Sequence, residues 1–122
     1  MAPDEVRFIH TADWQLGKPF YRIEDELKRS AAHQARLEVI DRIGDAVREF
    51  EAEFVVVAGD LFDSPSVKRS VVSSACQRIG AMGVPVYVIP GNHDFGGPGG
   101  VWEQEFFQRE RANLAGNMMV LT

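Results

Sequence analysis

The sequence predicts an α/β domain with a mostly parallel sheet in the order βαβαβαβ. Short apolar runs rich in Val and Ile stand at Val6 to Ile9, Phe54 to Ala58 and Val84 to Ile89, and long helical patterns separate them. Strands alternating with helices imply βαβ units, hence parallel pairing. Each run is followed directly by a short polar motif: Asp13-Trp14-Gln15, Gly59-Asp60-Leu61-Phe62-Asp63 and Gly91-Asn92-His93-Asp94. Parallel strands all point one way, so these motifs should meet at the carboxyl edge, where open α/β sheets bind ligands.

The elements follow in order. After the first strand, a helix is expected from about Glu24 to Glu51. In it Leu37, Ile40, Ile43, Val47 and Phe50 recur at three- and four-residue spacing as a core-facing stripe. A second helix is expected after Ser64-Pro65, where Ser or Asp supplies the cap and Pro suits the first turn, to about Met82, with Gly83 as its stop. The third, from about Val101 to Asn113, should pack Trp102, Phe106 and Phe107 on the sheet. It follows the flexible connector Gly96 to Gly100, whose glycines lack the Lys and Ser/Thr of a phosphate-cradling loop, and leads to a fourth strand from Asn117 to Leu121.

At 122 residues the chain reads as one domain or part of one, residues 1–122 without a linker or repeat. No apolar run approaches the roughly 20 residues that span a bilayer, so no membrane partner is expected. The polar stretch Met1 to Glu5 lacks a signal-peptide pattern, and a cytoplasmic location is expected by default. A single cysteine, Cys76, excludes a disulfide framework and reads as a buried thiol. A net charge of −5 argues against a surface basic all over, but not against an enzyme that meets phosphate through bound cations.

The donor types carry the chemistry. Carboxylate and amide oxygens suit Mg or Mn, and imidazoles add affinity for Mn, Fe or Zn. A carboxylate such as Asp60, on a tight Gly turn, can bridge two ions at the roughly 3.5–4 Å that clamps a phosphoryl displacement. Asn92 can offer its amide oxygen to one ion. His93 would face the substrate, placed to stabilise charge or protonate the leaving oxygen, with Asp94 orienting it.

The order D-x-Q, G-D-x-x-D, G-N-H-D resembles the D-x-H, G-D-x-x-D, G-N-H-D pattern of the calcineurin-like metallophosphoesterases. Within them, His10-Thr11-Ala12-Asp13-Trp14-Gln15-Leu16-Gly17 is similar to the SbcD-type DNA repair exonucleases, as are Gly59 to Asp63 and Pro90 to Asp94. The resemblance implies an αββα sandwich of which this chain is the first half, with Asp13 on the first metal, Asp60 bridging, Asn92 on the second and His93 catalytic. It also implies Mn-dependent cleavage of DNA phosphodiesters and partnership with a coiled-coil ATPase of the SbcC kind. Two departures stand out. Gln15 occupies the position of a histidine, which weakens the first metal site or makes it more Mg/Mn-like. The family's later histidines, including a Gly-His-x-His segment, have no counterpart before Thr122, and His33 lies in a helix away from the edge. The chain is therefore expected to be the N-terminal part of a nuclease domain, inactive alone.

Plainer readings stand beside these. An Asp after a strand is often a cap or turn former, and only the three motifs together carry the metal reading. Gln15 is a ligand or a simple hydrogen-bonder, Asp63 a neighbour of the metal shell or a helix cap, and His10 a core histidine bonded to backbone rather than a ligand. Lys18 and Arg22, in the basic and aromatic stretch Lys18 to Arg22, suit substrate binding on a strand-binding rim, or form an ordinary solvated loop. Trp14 is assigned to packing before base stacking, and Lys28-Arg29 and Lys68-Arg69 to solvated helix faces. Besides DNA cleavage, two functions stay open: a phosphatase or small-molecule phosphodiesterase on the same scaffold, and a non-catalytic interaction module. An open sheet edge predicts self-association, so a homodimer is among the partners considered.

Overall fold

The computed structural model describes residues 5–122. Most of the amino-terminal stretch read as lacking a signal peptide therefore lies outside the described residues. The elements run β1 (Phe8–Thr11), α1 (Glu26–Phe50), β2 (Phe54–Ala58), α2 (Arg69–Gly80), β3 (Val86–Ile89), a 3-10 turn at Val101–Glu103, α3 (Glu105–Leu114) and β4 (Met118–Val120). The sheet has four parallel strands in the order β1-β2-β3-β4. This is the α/β, βαβαβαβ half-sandwich the sequence predicts.

Because the strand order follows the chain and crossovers are right-handed, every helix lands on the same face of the sheet. That face is the core. Val55, Val57, Val86, Val88 and Met118 are buried under the helices, beside Ile40, Val72 and Ile79. Fully burying one such side chain stabilises the fold by about 1.5–3 kcal/mol. On the opposite face Phe8, Ile89, Met119 and Leu121 are exposed. Phe8 stacks on Phe54 at 5.0 Å, and Phe54 meets Tyr87 edge-on at 5.8 Å, so an aromatic row crosses this open face.

Element ends move for local reasons. Asp25 caps α1 by accepting from the amides of Leu27 and Lys28, so the helix starts two residues later than expected. Its stripe ends at Val47, since Phe50 in the last turn is exposed rather than in the core. The register Phe8↔Phe54 moves β1 two residues along, with Val6 outside it. Ahead of β3, Pro85 gives its carbonyl to Val55 N at 2.9 Å but has no amide to pair. The largest shift is at α2, which begins at Arg69, not after Pro65. Ser64 Oγ accepts Ser66 N, and Gln104 Nε2 donates to Pro65 O, so residues 64–68 form a turn instead of a helix. The third helix divides at Gln104, whose backbone is extended (ψ 135°), because Trp102 is drawn inward against Phe62 and Phe107.

His10 is not a core histidine: it lies exposed on the open face of β1. Cys76 is fully buried, and burial pushes its thiol up to about 12, which removes it from thiolate chemistry.

Candidate metal centre at the carboxyl edge

Beyond the ends of β1 and β2 the two loops remain paired through their backbones. Asp13 N donates to Gly59 O (3.0 Å), Gln15 N to Asp60 O (2.9 Å) and Leu16 N to Leu61 O (2.9 Å), while Asp63 N returns to Leu16 O (2.9 Å). This pairing does not continue a regular strand. Asp13, Gln15 and Asp60 sit at φ 55°, 47° and 52°, in the left-handed region that non-glycine residues enter at a cost, and Gly59 sits at φ 92°. Left-handed turns carry the side chains off the strand alternation, and such strain gathers at functional sites.

The loop after β3 is tied to that pair by two carboxylates. Asp60 Oδ1 accepts His93 N (2.9 Å), and its Oδ2 accepts from His93 Nδ1 (3.0 Å). A carboxylate can only accept, so Nδ1 carries the proton and Nε2 is the nitrogen turned outward. The hydrogen bond to Asp60 holds the His93 imidazole above its ordinary range, and the same bond holds the Asp60 carboxyl below its own.

Asp94 is placed differently from the expectation that it orients His93. It is completely buried, and its carboxylate accepts from three amides: Asp60 N (3.2 Å), Gly91 N (2.7 Å) and Phe62 N (3.1 Å). Burial pushes its carboxyl up, opposed by the amides of Gly91, Phe62 and Leu61. Contact with the His93 ring belongs to Asp60, because the Asp94 side chain turns inward to satisfy amides of two loops. Trp102 Nε1 donates to Asp94 O at 2.6 Å and secures it from beneath.

Asn92 lies exposed between Gly91 and His93, with its backbone amide toward the Asp60 carboxylate. Gly91 has no alternative here, since a Cβ would fall within the Asp60 carboxylate and backbone. Trp14 is buried, its Nε1 on Thr11 Oγ1 (2.9 Å) and its carbonyl held by Arg36 Nη1 (3.1 Å). The inward turn of Asp94 and the braces from Arg36 and Trp102 are not foreseeable from sequence. Nothing in a helical Arg or a Trp marks which carbonyl it will reach.

Lys18 holds its ammonium 5.9 Å from the Phe20 ring, and Arg22 is exposed. His33 bonds through Nε2 to Lys18 O at 2.7 Å and lines one cavity with Leu16 and Asp63, so it is not away from the carboxyl edge as expected: α1 packs against the loop after β1.

The donor set offers two carboxylates, Asp13 and Asp60, with amide oxygens at Gln15 and Asn92. These hard donors suit Mg or Mn. Among the described residues, no three His, Cys, Asp or Glu side chains converge as a metal site. By donor type, these four residues would supply at most part of a divalent-cation centre.

Residues 6–120 match the family model of the calcineurin-like phosphoesterases. The chain is 34% identical over 92 residues to the D subunit of the nuclease SbcCD from Escherichia coli (strain K12), covering 73% of this chain and 21% of that protein. It is 32% identical over 92 residues to the DNA double-strand break repair protein Mre11 of Methanococcus maripaludis, covering 73% and 23%. The chain thus spans about a fifth of the length of these curated relatives.

Proposed function

The chain belongs to the calcineurin-like phosphoesterase family, and from that premise we propose that the complete protein is a divalent-metal-dependent phosphodiesterase acting on DNA. The observation that carries this reading is the joining of three strand-end loops at Asp60, whose carboxylate holds His93 while its backbone pairs with the Asp13–Gln15 loop. DNA is favoured as substrate by two relatives whose names are those of a nuclease and a double-strand break repair protein.

Asp13, Asp60 and Asn92 would hold two cations, manganese first among Mg, Fe and Zn, with Gln15 as an additional oxygen donor. When bound, such cations polarise a phosphoryl oxygen and lower the pKa of an attacking water. His93 presents Nε2 outward with its proton affinity raised by Asp60, which suits delivery of a proton to the departing oxygen. Asp94 acts as a positioning residue through the loop that carries Asn92 and His93. Lys18 and Arg22 draw the phosphate backbone towards the edge.

Residues 1–122 are the N-terminal part of the nuclease domain in this reading, and the remainder would supply the missing ligands and a second sheet. The apolar open face from Phe8 to Leu121 supports that placement. A coiled-coil ATPase of the SbcC kind is the proposed partner, supported by the relative that is itself one component of SbcCD. A homodimer and a cytoplasmic location belong to the same proposal. Among the described residues no helix is long and apolar enough to cross a membrane.

The test is Mn-dependent hydrolysis of single-stranded DNA against a chromogenic phosphodiester by the complete protein, beside Asp60→Ala and with Mn titration calorimetry. DNA cleavage and Mn binding are both expected, and both should fall at least a hundredfold in the variant. Hydrolysis of the chromogenic ester alone would move the substrate to small molecules, and unchanged activity in Asp60→Ala would remove the centre.

The left-handed ligand loops give a second check. Relief of strain at φ 55° offsets the entropy of an added glycine, so Asp13→Gly should stay within about 1 kcal/mol of the parent in denaturant unfolding. The same variant should lose turnover in the complete protein. A loss above about 2 kcal/mol would make Asp13 a structural residue and count against its ligand role.

A further inference from the structure

Beside the centre lies a cavity of about 670 Å³, walled by the loop after β1, the first turns of α1 and the turn before α2. We propose that this cavity takes one unpaired nucleotide of the substrate strand, its base stacked on Tyr21 at the mouth and its phosphates met by Arg29 and Lys68. The inference rests on the phosphodiesterase reading and adds to it a recognition subsite.

Leu16 and Asp63 line the cavity and are bonded to each other, so it opens one residue from Gln15 and three from Asp60. A chain passing through the centre would enter it next.

Phe20, held at φ 56°, forms a fixed wall, its ring already covered by the His33 ring at 5.3 Å, the Arg36 guanidinium at 5.4 Å and the Lys18 ammonium at 5.9 Å. Tyr21, 83% exposed, stands at the mouth with its ring unpacked. Three cations, Arg29, Arg36 and Lys68, line the walls against two carboxylates, Glu26 and Asp63. Arg29 and Lys68, assigned from sequence to solvated helix faces, thus face a shared space, and Lys68 precedes α2 rather than lying on it. Aromatic faces interleaved with cations are what single strands bind. A base must leave its stack to lie on a protein ring, which selects an unpaired nucleotide over a duplex. The volume falls within the range of small-molecule sites.

The test is fluorescence anisotropy of the complete protein in EDTA with a labelled single-stranded oligodeoxynucleotide and its abasic counterpart. The parent should bind the base-containing strand about tenfold more tightly, the size of one base stack. Tyr21→Ala, at an exposed position that leaves folding intact, should erase that preference. Arg29→Gln should weaken both strands alike and lower the salt slope by about one. Absence of binding or of preference in the parent, or a preference retained by Tyr21→Ala, overturns the proposal and returns the cavity to another ligand class such as an acidic peptide. Mn-dependent hydrolysis of the chromogenic diester by the parent, run in parallel, separates this outcome from failure of the phosphodiesterase reading.

Discussion

Asp94→Ala is expected to destabilise the chain by about 3–5 kcal/mol, measured by denaturant unfolding. Three amides, on Asp60, Phe62 and Gly91, lose their acceptor together. A buried donor left without a partner costs about 1–3 kcal/mol, and the sum falls below additive because the loops part and admit water. Against the 5–15 kcal/mol that holds a typical domain, this is a large fraction. Asp94→Asn keeps the shape but sets a side-chain NH2 donor against a backbone N–H donor, and should lose about 2 kcal/mol. An asparagine variant within about 0.5 kcal/mol of the parent would show that the carboxylate does not clamp the loops. The effect reaches function through geometry: once the clamp opens, Asn92 and His93 are no longer held against Asp60.

His93→Ala should lower turnover of the complete protein by about 10²–10⁴, while Mn binding measured by calorimetry stays nearly intact. The ring gives only Nδ1 to Asp60, leaving Nε2 as the group facing outward. Its removal takes away a proton carrier without taking a metal oxygen. Retained cleavage would sink the catalytic assignment, and Mn binding lost together with turnover would make His93 a metal-site residue instead. The stability profile of the metal-free chain carries a matching signature. The His93 pKa is raised from 6.5, so its contribution is full below 6.5 and is lost as pH rises through the raised value. The Asp60 pKa is lowered from 3.8, so its contribution is full above 3.8 and is lost as pH falls through the lowered value. His93→Ala should flatten both flanks of that window.

Much of the fold was legible because apolar runs and helical stripes record which residues must leave water. β2 occupies the run Phe54 to Ala58, and β4 falls within Asn117 to Leu121. Where prediction slipped, a tertiary contact had displaced a local preference. The Ser64-Pro65 cap signal gave way to a turn fastened by Gln104, and the run from Val101 broke so that Trp102 could reach Asp94. His10 was assigned to a core because it ends an apolar strand, yet that strand has one face open.

For the candidate centre, the order of residues along the chain is enough to say which of them stand at the strand ends, because parallel topology carries every strand-end motif to one edge. Side-chain partners are settled only in three dimensions. Asp60 and Asp94 are both carboxylates in polar loops, with no difference in composition to say which meets the His93 ring and which turns inward to three amides. That division follows from packing. Asp94 lies over Trp102, where buried amides need an acceptor, and Asp60 lies on a left-handed turn that lifts its carboxylate to the edge. The cavity beside the centre depends on the same level of structure, since Phe20, Arg29 and Lys68 share a space only once α1 and the turn before α2 have packed around the first loop.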